Sequence, residues 1–416
     1  MARLALVNAR VFDSAAGVLR PHSTVVIEGE RVVAVTDEPV KVDDAQVIDT
    51  GGRVVLPGLI DAHVHVTASS HDLAGLALQP ASLVGAHSSR IMRDMLHRGF
   101  TTVRDAAGAD FGLQEAVAAG LYEGPRLFIA GQPISQTGGH ADQRPKGVRS
   151  EFFCSCAGLG LAGAIADGVG EVRRAVREQV RNGANHVKIM AGGGISSPTD
   201  PIDGTQFAMD ELCAAVEEAE AANLYALAHA YSPRAVSRAV RAGVRSIEHG
   251  NLVDEATVRL MKTHGTYLVP TLATYAALGV EGLRLGWSPA MMDKLQRVQS
   301  RGVDALRMAH AEGVPIAFGT DLLGHMHERQ LTEFTLRSAA MSPVEVLQSA
   351  TIVAARLMRQ ESTIGQLRPG ALADLLVVDG DPTQDAAVLA AGTGAIRLLM
   401  QGGRTVRSNL ADAQGC

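Results

Sequence analysis

Leu56-Pro57-Gly58-Leu59-Ile60-Asp61-Ala62-His63-Val64-His65 is an apolar run that closes on two histidines two positions apart. Successive side chains of an extended strand alternate between faces, so His63 and His65 point the same way. Two neutral imidazoles on one rigid strand make half of a metal site. Solvated or core histidines also occur at this spacing. Its meaning therefore depends on what the other strands bring to it.

Outward from this run, short apolar strands alternate with amphipathic helices. Strands are predicted at Leu59–His65, Thr101–Asp105, Arg126–Ala130, His186–Met190, Tyr225–His229, Arg245–His249, Thr266–Pro270 and Pro315–Thr320. Helices such as Gly170–Arg181, with Val172, Ala175, Val176 and Val180 at helical spacing, and Asp210–Ala222 lie between them. Eight strands with intervening helices predict an α/β fold, a (β/α)8 TIM-like barrel over residues 58–361. Residues 1–57 read as strands without a helix (Ala5–Phe12, Ser23–Glu28, Arg31–Val35, Val47–Asp49), and the same texture returns in Asp374–Asp379 and Ala395–Met400. The segments 1–57 and 362–416 are therefore expected to meet as one composite β-sandwich domain.

Composition narrows the function. The 416 residues are 46% hydrophobic and 20% charged, enough for a large buried core. A net charge of −6, with no basic run interleaved with aromatics, argues against nucleic acid as a partner. No stretch reaches the ~18 apolar residues of a membrane span, and Met1–Arg10 reads as a strand rather than a leader. Four cysteines make no disulfide framework, which fits a cytoplasmic setting. Cys154-Ser155-Cys156 has no second pair to complete a zinc site and reads as loop packing.

A barrel of this kind carries its chemistry at the C-terminal ends of its strands. Beyond His63 and His65, those ends present Lys188, His229, His249 and Asp321, which makes six ligand-capable residues on five strands. Lys188 is the sharpest of them. Only five of the 38 basic residues are lysines, and this one sits in the apolar strand His186-Val187-Lys188-Ile189-Met190, where a bare ammonium is costly. Burial lowers a lysine's pKa and frees the amine to react. Addition of CO₂ would give a carbamate whose two oxygens can bridge two cations. His186, two residues before Lys188, reads as a filler of the barrel interior. His325 and His327, on the loop after Asp321, read as solvent-exposed.

These residues, together with the closing Gly365-Gln366-Leu367-Arg368-Pro369-Gly370-Ala371-Leu372-Ala373-Asp374-Leu375, resemble the amidohydrolase superfamily in its binuclear-metal branch. The resemblance implies that His63, His65 and Asp321 hold the more buried metal and His229 and His249 the more exposed one. It also implies a carboxylated Lys188 between them, and zinc as the usual metal. Asp321 would be the base that takes the nucleophile's proton and returns it to the leaving nitrogen. Within the superfamily the chain is most similar to the prolidase-like subgroup. That likeness adds His140, in Gly138-Gly139-His140, and Tyr231, two residues past His229, as contacts to the substrate's carbonyl oxygen. Arg144 is a candidate fork for a substrate carboxylate. The long segment from Thr271 to Trp287 reads as a lid loop on which Tyr275 touches substrate.

The expected activity is hydrolysis of an amide next to a free carboxylate: an Xaa-Pro or similar dipeptide, an N-acyl amino acid, or an ochratoxin-type amide. The resemblance also implies a homo-oligomer, octamers being frequent in the subgroup. Two rival readings are a one-metal deaminase or imidazolonepropionase-like hydrolase and a metal-free scaffold. The first lacks the strand lysine, and the deaminases place a glutamate where this chain has Ser232. The second should have lost ligands, and none is missing here.

Overall fold

The structure, a computed structural model, describes residues 3–37, 45–144, 147, 159–197 and 200–410. The Cys154/Cys156 pair lies outside them. In chain order the strands are β1 (Arg3–Asp13), β2 (Val18–Glu28), β3 (Arg31–Thr36), β4 (Ala45–Asp49), β5 (Val54–Pro57), β6 (Leu59–Val64), β7 (Phe100–Asp105), β8 (Arg126–Ile129), β9 (Ile134–Ser135), β10 (Ala164–Ile165), β11 (Val187–Met190), β12 (Ala226–Ala230), β13 (Ser246–His249), β14 (Tyr267–Val269), β15 (Leu375–Val378), β16 (Ile396–Gln401) and β17 (Arg404–Ser408). The fold is α/β, with two parallel sheets in the middle of the chain and one mixed sheet built from its ends.

The mixed sheet runs β17-β16-β15-β5-β1-β2-β3, with β4 added beside β1. Leu376 of β15 pairs antiparallel with Leu56 of β5, so the two ends of the chain share one hydrogen-bonded sheet. Leu6, Val25, Val55, Leu375 and Leu398 from five of these strands bury together in a single apolar cluster.

The parallel sheets are β6-β7-β8 and β10-β9-β11-β12-β13-β14. Their strands are buried almost throughout, as apolar parallel strands covered by helices must be. The helix Gly168–Arg181 shows why the intervening segments are helical. Val172 and Val176 recur at helical spacing and are buried, while Arg173 and Arg177 on its outer side pair with Glu218 of the neighbouring helix Met209–Ala221.

Seven of the eight expected central strands form within a residue or two of their expected ends. The eighth, Pro315–Thr320, does not become a regular strand, and only Ile316 makes a bridge, to Leu268. Its backbone instead makes a few bonds to each side without a continuous ladder. Leu268 N–H donates to Pro315 O at 2.9 Å, and Ala62 N–H donates to Phe318 O at 2.8 Å. The other gap is spanned by Asn185, whose N–H donates to Ile129 O at 2.7 Å and whose Oδ1 accepts from Ile129 N–H at 2.9 Å. The two parallel sheets are thus joined at both edges, and the C-terminal ends of their strands face one cleft.

Candidate active site

The cleft begins with β6. Asp61 fastens it to the segment that delivers Asp321: Oδ1 accepts from the N–H groups of His63 (3.1 Å) and Thr320 (3.2 Å), and Oδ2 from the Thr320 hydroxyl (2.6 Å). Both strand histidines then meet Asp321 Oδ1, His65 Nε2 at 3.1 Å and His63 Nε2 at 3.5 Å. His249 closes the group, its ring centroid 5.1 Å from that of His63. Ligand atoms of His63, His249 and Asp321 lie within 4.8 Å of one another.

Each imidazole is oriented by a partner on its other nitrogen. His63 Nδ1 lies 2.7 Å from Glu248 Oε2, His65 Nδ1 2.8 Å from Ala107 O, His249 Nδ1 2.8 Å from the Thr271 hydroxyl, and His229 Nε2 3.1 Å from Gly193 O. Such partners fix the tautomer of metal-ligating histidines. His63 Nε2 is buried and without a hydrogen-bond partner. An orphaned imidazole nitrogen among three further histidines, a carboxylate and a lysine is the donor set of a divalent-metal site, so the residues present fit one.

Glu248 is itself buried and held by Arg104 (2.8 Å) and the Ser246 hydroxyl (2.6 Å). Burial opposes its ionisation, but the Arg104 guanidinium and the His63 hydrogen bond prevail and hold its carboxyl well below the usual range. Lys188 is 2% exposed and lines the cleft. Burial pulls its ammonium down to about 8, against the opposing pull of Glu248 and Asp321. That leaves roughly a tenth of the amine neutral at pH 7, far more than an ordinary lysine has, and it is the neutral amine that forms a carbamate.

His140 enters over the second histidine pair, its ring stacked on His229 at 4.3 Å between centroids. Gly194 permits this approach, because a Cβ there would overlap the His140 ring. His140 Nδ1 sits 3.3 Å from Asp200 Oδ2, which also accepts from Gly194 N–H at 2.8 Å, and Lys294 ties down the Asp200 carbonyl at 2.6 Å. Tyr231 is buried with its ring stacked on His249 at 5.1 Å, and it lines the cleft. Leu73, Leu161, Ile195, Leu278, Trp287 and Leu323 make the outer wall apolar.

The six expected ligands, His140 and Tyr231 thus converge on one cleft. Three other expectations are corrected. Arg144 does not present a free fork: Asp142, two residues upstream, takes both its arms at 2.7 and 2.5 Å. Tyr275 is buried behind Tyr231 and bonded to it, not a substrate contact, because the expected lid loop is the packed helix Leu272–Glu281. His327 is buried with Nε2 3.1 Å from Ala68 O, and desolvation pushes its pKa down to about 4, whereas His325 is exposed as expected. His186 is buried as expected, stacked on Tyr225. Sequence reading missed Glu248, Arg104, Asp61, Asp200 and Thr271. Of these only Asp61 carried a signal, two residues before His63 and so on the same face of that strand.

The joined parallel sheets and this histidine–carboxylate–lysine cleft, taken with the family match and the relatives below, make the protein a hydrolase acting on C–N bonds. The chain belongs to the Amidohydrolase family, whose profile matches residues 54–406. It is similar to the ochratoxinase of Aspergillus niger, with 35% identity over 351 residues, 80% of this chain and 72% of that one. Among solved structures it is similar to a prolidase complexed with N-methylphosphonate-L-proline, with 48% identity, a TM-score of 0.95, and 98% of this chain and 100% of that one covered. It is also similar to a Xaa-Pro dipeptidase with bound methionine in the active site, with 28% identity, a TM-score of 0.87, and 98% and 100% covered. No helix among the described residues is long and apolar enough to cross a membrane.

Proposed function

We propose that this chain hydrolyses an amide bond whose leaving amino acid bears a free carboxylate, in a dipeptide such as Xaa-Pro, an N-acyl amino acid or an ochratoxin-type amide. The observation that carries the reading is the orphaned His63 Nε2 beside His65, His249 and Asp321, with Lys188 buried in the same cleft. The prolidase and ochratoxinase relatives support the substrate class. Its apolar wall suits a hydrophobic group on the acyl side.

His63, His65, His229, His249, Asp321 and a carbamate on Lys188 would hold the two metals, zinc in this reading. Two divalent cations there supply a hydroxide at neutral pH and polarise the scissile carbonyl. Asp321 takes the proton of the attacking oxygen and delivers it to the leaving nitrogen as the C–N bond breaks, a base turned acid. The Tyr231 hydroxyl and the His140 nitrogen not facing Asp200 donate to the carbonyl oxygen as it gains charge. Ser232, where the deaminases carry their glutamate, caps the helix Pro233–Ala242 by accepting from Ala235 N–H, which disfavours the deaminase reading.

The same reading takes the bonds at both edges of the parallel sheets as the closure of a (β/α)8 barrel over residues 58–361. Residues 1–57 and 362–416 are then one composite domain, its sandwich being the mixed sheet folded over its own apolar cluster. A cytoplasmic setting accords with the free thiol of Cys213. The test is a panel of dipeptides and N-acyl amino acids assayed as acids and as matching carboxamides, with metal analysis of the purified protein. Turnover of the acids alone and about two metal equivalents are expected. Equal turnover of acid and carboxamide, or no bound metal, overturns the reading.

A further inference from the structure

Thr271 and Tyr275 are fully buried, yet their hydroxyls are committed to the cleft. Thr271 occupies the position before the helix Leu272–Glu281 where a hydroxyl ordinarily caps the first turn, but it makes no capping bond. The buried Glu333 carboxylate accepts from Ala273 N–H in its place, at 2.6 Å. The Thr271 hydroxyl lies instead 2.8 Å from His249 Nδ1 and 3.3 Å from the Tyr275 hydroxyl. Its backbone is left-handed, with φ +48°, a conformation that a β-branched residue seldom adopts. The Tyr275 hydroxyl then lies 3.1 Å from that of Tyr231.

This row of hydroxyls has a direction. His249 Nδ1 lies 2.8 Å from the Thr271 hydroxyl and only 4.0 Å from Asp321 Oδ2, so a cation held on Nε2 would leave the proton on Nδ1, donating to Thr271. Each hydroxyl has one hydrogen to give. Thr271 gives its hydrogen to Tyr275, and Tyr275 gives its own to Tyr231. The hydrogen of Tyr231 is then left for the cleft. With the opposite polarity Tyr231 would donate backwards and turn only lone pairs toward an oxygen gaining negative charge.

We infer that Thr271 and Tyr275 are positioning residues that hold the Tyr231 hydroxyl as an outward hydrogen-bond donor and couple its direction to the tautomer of His249. The inference rests on the proposed role of Tyr231 at the substrate's carbonyl oxygen.

The test combines two measurements on the full-length, metal-loaded enzyme. The first is a kinetic cycle of Tyr231→Phe, Tyr275→Phe and the double variant. Tyr231→Phe should lower kcat by roughly 10²-fold, and Tyr275→Phe by about 10-fold with KM little changed. Adding Tyr275→Phe to Tyr231→Phe should cost nothing further. The second is metal retention against a chelator: Thr271→Val should release metal faster than wild type, and Thr271→Ser should restore both retention and kcat. A Tyr275→Phe loss that multiplies with that of Tyr231→Phe overturns the relay and leaves the role of Tyr231 standing. So does an unaltered kcat in Tyr275→Phe while Tyr231→Phe is impaired. An unimpaired Tyr231→Phe overturns that role and the relay with it. Thr271→Val that holds metal as wild type does removes the link to His249.

Discussion

Replacing Glu248 by glutamine separates two jobs that one buried carboxylate does. Its Oε2 orients His63 at 2.7 Å, and its Oε1 neutralises Arg104 at 2.8 Å, with the side chains of all three residues at most 1% exposed. Glutamine keeps the shape but has only one acceptor oxygen. If that oxygen stays on His63, the amide hydrogens face the Arg104 guanidinium, and if the amide flips, they face His63 Nδ1–H. Breaking a buried ion pair from one side costs ~3–5 kcal/mol. Losing the partner of a ligating histidine lowers metal affinity ~10- to 100-fold, or ~1.4–2.7 kcal/mol. Glu248→Gln should therefore both lower the urea midpoint and shed metal to a chelator. Arg104→Met added to it removes the stranded charge and should recover much of the midpoint but none of the metal retention. Wild-type metal retention in Glu248→Gln would refute the orienting role. A double variant no more stable than the single would refute the buried charge as the source of the loss.

Asp321→Asn is nearly isosteric and should keep the fold while lowering kcat ~10²–10⁴-fold, as loss of a general acid–base does; a kcat within a few-fold of wild type, with metal retained, assigns the proton transfer to another group. Lys188, with its ammonium pulled down to about 8 by burial, is mostly charged at pH 7 and mostly neutral at pH 9. Reactivation of metal-free enzyme by metal and bicarbonate, corrected for dissolved CO₂, should therefore rise over that window and level off above it; a rate that keeps climbing toward pH 10 would mean an unperturbed amine. Gly194→Ala should push His140 off His229 and Asp200, cutting kcat with little change in melting temperature, and a crystal structure of that variant with His140 unmoved would contradict the packing argument.

Much of the site was legible because it lies on uninterrupted strands. His63 and His65 share a face by simple alternation, and Lys188 was conspicuous as a lysine in an apolar run. The eighth segment was read as a regular strand like the others; it makes a few bonds to each neighbour without a continuous ladder, a difference that its apolar run does not reveal. Arg144 was misread because its distance from Asp142, two residues, says nothing about whether the two side chains close on each other. Asp200 and Thr271 carried no pattern at all. They sit on connecting segments, where the partner of a polar side chain depends on the path of the backbone rather than on a period.

Glu248 shows the deeper reason. It is adjacent to His249, and alternation sends adjacent residues of a strand to opposite faces, so a reader who places His249 in the site must place Glu248 outside it. Both are in the site. Glu248 faces inward in register with His229 of the neighbouring strand, and His249 reaches the cleft because its backbone turns left-handed, at φ +77°. Asp321 does the same at φ +54°, one residue after Thr320 has bonded Asp61, and Thr271 does so at φ +48°. Each such residue costs ~1–3 kcal/mol and persists only where its surroundings impose it. The three stand at the C-terminal ends of β13, β14 and the irregular segment Pro315–Thr320, and each delivers the side chain on which the proposed metal chemistry or its hydrogen-bond relay depends. The departures from the strand period are therefore what assemble the site, and a reading built on that period finds the ligands before it finds the residues that aim them.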